Sequence, residues 1–402
     1  MLQLILRLVG ARSLNSIGRA MIATTVGYEL YQRTGSKLVL SEVGAVQVLP
    51  VILLFVPAGA LVDRSDRRTL TSFAATGQGL VGLGLAAASY FSAPVPVFLL
   101  LLLSLGCLTV IHAPASSSLI PLIIPREELV RTNRISSSFQ ETAQIGGPAI
   151  AALGFQFFHY SVVYAVVAIT GIASGILYRS LPQPRVIADQ TASAARRDWR
   201  TGLRFIFKSP VLLPALTLDM FAVLFAGVTA LLPVISQDIL HTSEFGYGVL
   251  RSAQSIGAIG MATLGAQYTN WKRPGVALLV VVALFGAVTI AFGFCTSFPL
   301  AVILLVAMGA LDNISVVIRL TTEQMVVPDS IRGRVSAVHY VFIGMSNELG
   351  AAESGLAADL LGTIPAIVAG GAVAIAVVGV VAIKWKGLAA MPPLDQLQPE
   401  LE

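Results

Sequence analysis

Apolar residues along this 402-residue chain come in runs of about 20, a length matched to a hydrocarbon layer roughly 30 Å thick. Twelve such runs are legible, near 5–31, 38–62, 69–91, 95–123, 130–157, 160–179, 211–236, 245–268, 275–295, 298–325, 335–360 and 363–384. They predict an all-α membrane protein of twelve transmembrane helices. One polar and basic stretch breaks the rhythm of short loops. The expected organisation is a six-helix bundle over 1–180, a cytoplasmic linker over 181–209, a second bundle over 210–386 and a cytoplasmic tail over 387–402. Within the linker, Trp199, Leu203, Phe205, Ile206 and Phe207 are interspersed with Arg197, Arg200, Arg204 and Lys208, the pattern of a basic amphipathic helix lying on the inner leaflet. Arg12 and Arg19 interrupt the first run and no compact small-residue cleavage site follows it. That run is therefore expected to be a helix of the mature protein and not a signal peptide.

Composition narrows the class. Charged residues make up 12% of the chain, about half the usual share of a soluble domain, while 55% is hydrophobic and the mean hydropathy is +0.82. These values exclude a soluble enzyme. A net charge of +5 would raise the question of nucleic acid in a soluble chain, but here the placement of the cations matters more. With the N-terminus inside, twenty of the 26 Lys and Arg residues fall at inner helix ends, and only Arg33 and Lys37 fall outside. Arg12, Arg19, Arg251 and Arg319 lie within spans. Both termini are accordingly expected in the cytoplasm, with the lipid bilayer and no nucleic acid as partner. Cys107 and Cys295 lie in apolar runs as small core side chains. Four scattered histidines show no zinc-type spacing, so no metal is expected, and no phosphate-binding glycine loop indicates direct ATP drive.

The halves repeat at an offset of about 203 to 207 residues, as parallel six-helix repeats do in one transporter architecture. Pro125 in IIPREELVRTNR matches Pro328 in VVPDSIRGRVSA, and Gly59-Ala60 matches Gly265-Ala266. GALVDRSDRRTL, at 59–70, resembles the loop between helices 2 and 3 of the major facilitator superfamily. The segments 126–154 and 328–362 are similar to the branch holding the bacterial enterobactin exporter and related efflux permeases. The resemblance covers about 10 to 385. It implies a monomeric secondary transporter of the bacterial inner membrane with no cofactor beyond a proton gradient. Its implied activity is export of a small amphiphilic or anionic solute, such as a siderophore or drug, by alternating access and proton antiport. An importer, a lipid flippase or a non-transporting sensor are the alternatives.

The loop motif's Gly59, Asp63, Arg64, Arg67 and Arg68 would form a cytoplasmic gate by this resemblance. Physically, Gly59 would let its helix approach a neighbour closely and Asp63 would meet a helix N-terminus. Asp66 stands where the family usually has glycine. Charges inside a bilayer cost roughly 2.5 to 3.5 kcal/mol each at mid-helix and so mark partners or an aqueous path. Arg12 and Arg19 share one face of helix 1 with Asn15 close by, and Asp312 and Arg319 share the same spacing on helix 10. Family geometry, with helices 1, 4, 7 and 10 lining the cavity, adds His112 and Asp219, giving a substrate cavity of Arg12, Asn15, Arg19, His112, Asp219, Asp312 and Arg319. Proton-coupling candidates are Glu141, Asp219, Asp312, Glu348 and Glu353. Two readings of these carboxylates stay open: groups that change protonation as the halves rock, or permanent interhelical ion pairs and latches. Helix 4 lacks the mid-helix arginine of many drug/proton antiporters, and Gly146-Gly147-Pro148 is followed by Ala151 and Ala152 where that family's glycine pair is usual.

Overall fold

A computed structural model describes residues 1–183, 199–265, 271–328 and 330–397, and no strand occurs among them. The helices are α1 (Leu2–Thr34), α2 (Lys37–Arg64), α3 (Arg67–Tyr90), α4 (Val95–Ile123), α5 (Arg126–Phe157), α6 (Tyr160–Arg179) and α7 (Trp199–Lys208). They continue with α8 (Leu212–Ile239), α9 (Glu244–Gly265), α10 (Pro274–Gly293), α11 (Phe298–Val326), α12 (Arg332–Leu361), α13 (Thr363–Lys384) and a short α14 (Lys386–Ala389). Among the described residues, eight of these, α2, α3, α4, α6, α8, α10, α11 and α13, are long and apolar enough to cross a membrane. The others of comparable length, α1, α5, α9 and α12, carry more polar and charged residues, including several of the candidate site residues. Leu53, Phe73, Ile169, Ile303 and Ile383 are all exposed, so the outer surface is apolar, as lipid contact requires.

The connections are short and chemically specific. Gly35 ends α1 in the left-handed conformation (φ 63°), with its N–H donating to the Tyr31 carbonyl at 2.8 Å. Only Ser65 and Asp66 separate α2 from α3. The Asp66 carboxylate accepts the Arg68 N–H at 3.1 Å and the Thr69 hydroxyl at 2.6 Å, so this aspartate makes the turn as an N-cap in place of the family's glycine. Gly362, also at positive φ (92°), separates α12 from α13 by a single residue.

The chain forms two compact units, Met1–Asp189 with His241–Ser252, and Gln190–Leu240 with Ala253–Glu402. Residues 241–252 join the first unit through named contacts. The Tyr247 hydroxyl donates to the Thr24 carbonyl at 2.9 Å, and the Ser252 hydroxyl to the Ile145 carbonyl at 3.1 Å.

Within each unit the same pairings recur. In the first, α3 packs along α6, where a Cβ on Gly171 would lie 2.6 Å from the Gly79 Cα. In the second, α10 packs along α13, where a Cβ on Gly371 would lie 2.6 Å from the Gly286 carbonyl oxygen. Likewise Gly106 on α4 meets Pro50 of α2, and Gly309 on α11 meets the Gln254 backbone of α9. Each pair recurs about 200 residues later, so the sequence repeat is a repeat of close helix contacts between small residues.

Three expectations are corrected. The close approach expected at Gly59 is not there: no atom among the described residues lies within 4 Å of its Cβ position, and the tight contacts sit at Gly79, Gly106 and Gly171 instead. The run near 211–236 is not one regular helix. It is α-helical over Leu212–Ala226, breaks at Gly227, passes through a 3-10 turn over Val228–Leu231 and ends as a π-turn over Ile235–Ile239. Pro233 has no N–H for the carbonyl one turn before it, which accounts for the irregular ladder. The amphipathic α7, expected to lay its apolar face on lipid, turns that face to its own unit. Phe205 and Ile206 are buried with Leu212, Val326, Val335 and Val338, and a Cβ on Gly202 would lie 2.7 Å from the Arg334 backbone. Of this helix's aromatics, Phe207 is exposed. The earlier linker, including Arg197, lies outside the described residues.

Candidate functional site

The first unit gathers polar groups around α1. Asn15 is buried and its Nδ2 donates to Gln78 Oε1 of α3 at 2.6 Å, while Gln78 Nε2 donates to Thr109 Oγ1 of α4 at 3.1 Å. This chain of amides and a hydroxyl ties three helices together in an apolar surrounding, where an unmade bond would cost about 1–3 kcal/mol. His112 of α4 is buried, packs edge-on against Tyr178 at 5.7 Å between centroids, and its Nε2 has no hydrogen-bond partner among the described residues. Tyr178 in turn shares a 3.0 Å hydrogen bond with Ser116. Arg12, half-buried, and Arg19, exposed, are both near enough to act electrostatically on His112. Two cations beside a buried imidazole nitrogen suit the recognition of an anionic or hydrogen-bonding group.

The second unit concentrates charge at α8 and α11. Asp219 and Arg319 form an ion pair with both side chains largely buried, and Arg319 Nε also donates to the Ser315 carbonyl at 3.3 Å. Asp312 lines a small cleft together with Asp219 and Ser315, and feels both Asp219 and Arg319 electrostatically. The guanidinium thus pairs with Asp219, while Asp312, exposed on the cleft, is near enough to act on both. If all three are ionised the cluster is one negative charge in excess, which a bound proton or a cationic group would neutralise.

The other candidates lie on α5, α9 and α12. Glu141 is exposed on α5, while Arg251 of α9 and Glu348 of α12 are half-buried. Glu353 is half-buried beside Ser354, against the break in α8 at Gly227. In the loop motif, Arg68 donates to the Leu181 carbonyl at 2.6 Å and Arg179 to Thr69 Oγ1 at 2.7 Å, so the motif clamps α3 to the end of α6 within the first unit. Arg64 is exposed, Arg67 is half-buried, and the Asp63 side chain lies outside the described residues.

Sequence reading missed three features. Gln78 and Thr109 look like ordinary polar interruptions until Asn15 is placed opposite them. Glu29 has no exposed surface, pairs with Arg33 and accepts the Ser89 hydroxyl at 2.7 Å, yet it lies near the end of the first apolar run, where a charge reads as a loop boundary. Glu323, one turn after Arg319, pairs with His339 across the turn joining α11 to α12. Glu323 itself is visible in the sequence one turn after Arg319, but the histidine's distance in sequence concealed the pair.

Polar side chains buried along helix interiors beneath an apolar surface define a multi-helix membrane transport protein. The chain belongs to the Major Facilitator Superfamily, whose model matches residues 8–351. It is thus a transporter and not an enzyme. Its relatives include macrolide efflux protein A of Streptococcus pyogenes, 25% identical over 68% of this chain and 68% of that protein. The enterobactin exporter EntS of Citrobacter koseri is 25% identical over 82% of this chain and 79% of its own. Among solved structures, a bacterial homolog to the human lysosomal transporter Spinster, inward-facing and unoccupied, superposes with a TM-score of 0.73 at 16% identity, covering 96% of this chain and 95% of that one. A D-xylose-proton symporter gives 0.70 at 12% identity, covering 94% and 96%.

Proposed function

We propose that the protein is a secondary active exporter of a small amphiphilic or anionic solute, working by alternating access and proton antiport in the bacterial inner membrane. Twelve transmembrane helices with both termini cytoplasmic, and a monomeric protein, belong to the same reading. The observation that carries it is the cluster of Asp219, Arg319 and Asp312, a buried ion pair with a second carboxylate on the adjoining cleft. Such a group has two alternative states: Arg319 beside charged acids, or one acid protonated and neutral. Switching between them while a substrate is bound or released would couple proton flow to transport. Arg12, Arg19, His112 and Asn15 are the matching candidates for substrate contact. The relatives' names, macrolide efflux and enterobactin export, supply two probes of suitable chemistry, a macrolide and a catecholate siderophore.

The test is transport of radiolabelled erythromycin and of enterobactin by inverted vesicles carrying the wild type, Arg12→Ala or Asp312→Asn. Arg12→Ala should weaken apparent affinity for the probe that is carried. Asp312→Asn should abolish gradient-driven accumulation while sparing downhill exchange. Folded variants that both transport like the wild type would remove this site assignment, and accumulation in the opposite direction would make the protein an importer.

A further inference from the structure

The α11–α12 turn holds a buried acid–histidine pair, with the exposed Ser336 at its edge, that the substrate and coupling assignments above do not use. Glu323, near the end of α11, is 5% exposed and accepts the Ser336 hydroxyl on Oε1 at 2.5 Å, while its Oε2 meets Nδ1 of His339, which is 3% exposed. Ser336 and His339 lie one turn apart on α12 and so present to the same carboxylate. With Glu323 ionised and the ring neutral, Nδ1 carries the ring proton toward the carboxylate and Nε2 keeps a bare lone pair. That Nε2 is buried and has no hydrogen-bond partner among the described residues. Val326, Val327, Val335 and Val338, near the pair in sequence on the same two helices and their turn, belong to one buried apolar cluster.

The nearby charges are engaged elsewhere or face outward. On α11, Arg319 pairs with Asp219 of α8, and Asp312 lies three turns from Glu323. On α12, Arg332 donates to the Gln324 and Val327 carbonyls, and Arg334 is half-buried with interactions of its own. On α7, which packs on α12, Arg200, Arg204 and Lys208 carry exposed side chains. Among the described side chains, Ser336 and His339 alone hydrogen-bond to the Glu323 carboxylate.

We propose that Glu323 and His339 form a proton-binding site, in which His339 Nε2 takes up a proton when movement of α12 against α11 gives it a water or carbonyl partner. This rests on the reading of the chain as a proton-coupled exporter and adds to the cavity carboxylates a second proton-binding group, both being needed for coupling. The step balances simply. One proton adds to the Nε2 lone pair, the ring becomes an imidazolium held by the unchanged carboxylate, and the pair goes from one negative charge to neutral. In the arrangement described here the new N–H of the protonated state would find no acceptor among the described residues. Conformations that open the turn favour it, and that difference makes proton binding depend on conformation.

The experiment is nitrogen NMR of the full-length protein labelled with 15N-histidine, in nanodiscs, titrated over about pH 5 to 8. His339→Gln identifies the ring signals among the four histidines. The wild-type His339 should show the Nδ1–H tautomer at high pH and become doubly protonated in acid. Glu323→Gln should lower the midpoint by a unit or more, a tenfold loss of proton affinity, because the imidazolium loses its counter-charge. Ser336→Ala keeps the counter-charge and should leave the midpoint close to that of the wild type. A His339 signal that keeps one protonation state throughout, or titrates identically in Glu323→Gln, would overturn the site. Erythromycin transport into proteoliposomes gives the second readout: His339→Gln should lose gradient-driven accumulation and keep downhill exchange. If His339 titrates as expected but wild-type accumulation ignores the gradient, the coupling role fails while the proton site stands.

Discussion

Replacing Asp219 and Asp312 by asparagine, singly and together, gives the sharpest test of the charge cluster. With all groups ionised the cluster of Asp219, Arg319 and Asp312 carries one net negative charge. Either single replacement makes it neutral, and the double replacement leaves Arg319 as an unpaired cation with 4% of its side chain exposed. Removing one partner of a buried pair costs about 3–5 kcal/mol when nothing replaces it. In Asp219→Asn, Asp312 is close enough to act on Arg319, so the cost should stay near the lower end or beneath it. In the double variant no carboxylate remains and the full cost appears. The two changes should therefore be non-additive by about 1–3 kcal/mol, the usual range for residues sharing one partner. Unfolding in detergent can be followed with a thiol-reactive dye, because Cys295 is buried, Cys107 is half-buried and both are free. Additivity within about 0.5 kcal/mol would refute the shared-partner geometry.

Three further outcomes follow from local geometry. Gly309→Ala should destabilise by about 1–3 kcal/mol or more, since its Cβ would meet the Gln254 carbonyl oxygen at 1.8 Å, whereas Gly59→Ala should stay within about 0.5 kcal/mol in the same thermal assay. Asp66→Ala should cost about 1 kcal/mol by removing the α3 cap, and asparagine at that position should restore most of it. Gln78→Leu should leave Asn15 Nδ2 and Thr109 without their partner and lower stability by about 1–3 kcal/mol, while Asn15→Leu combined with Gln78→Leu should recover part of that loss.

Helix positions were readable because lipid imposes one simple rule, a long apolar run, and a bounding charge or proline marks most ends. The expected and observed bounds of α4, α6 and α13 coincide, at 95–123, 160–179 and 363–384. The break in α8 was less visible: Gly227 and Pro233 lie in an apolar run, and apolarity alone does not report the hydrogen-bond ladder. Candidate residues stood out where a charge was improbable for its surroundings, as with Asp219, Asp312 and Arg319. Pairings such as Asn15 with Gln78, or Glu323 with His339, depend on which helix faces meet, and spacing along one helix does not encode that. The docking of α7 through Phe205 and Ile206 was hidden for a related reason. An amphipathic helix has the same pattern whether its apolar face meets lipid or protein.

Export driven by a proton gradient is the central claim, and reconstituted protein tests it directly. Proteoliposomes with an imposed pH gradient, loaded with a pH-sensitive dye and supplied with labelled erythromycin or enterobactin, report solute and proton movement together. The account predicts accumulation of solute on the acidic side, with proton flux in the opposite direction and both abolished when the gradient is collapsed. Solute movement that proceeds at the same rate and to the same extent without the gradient would contradict it.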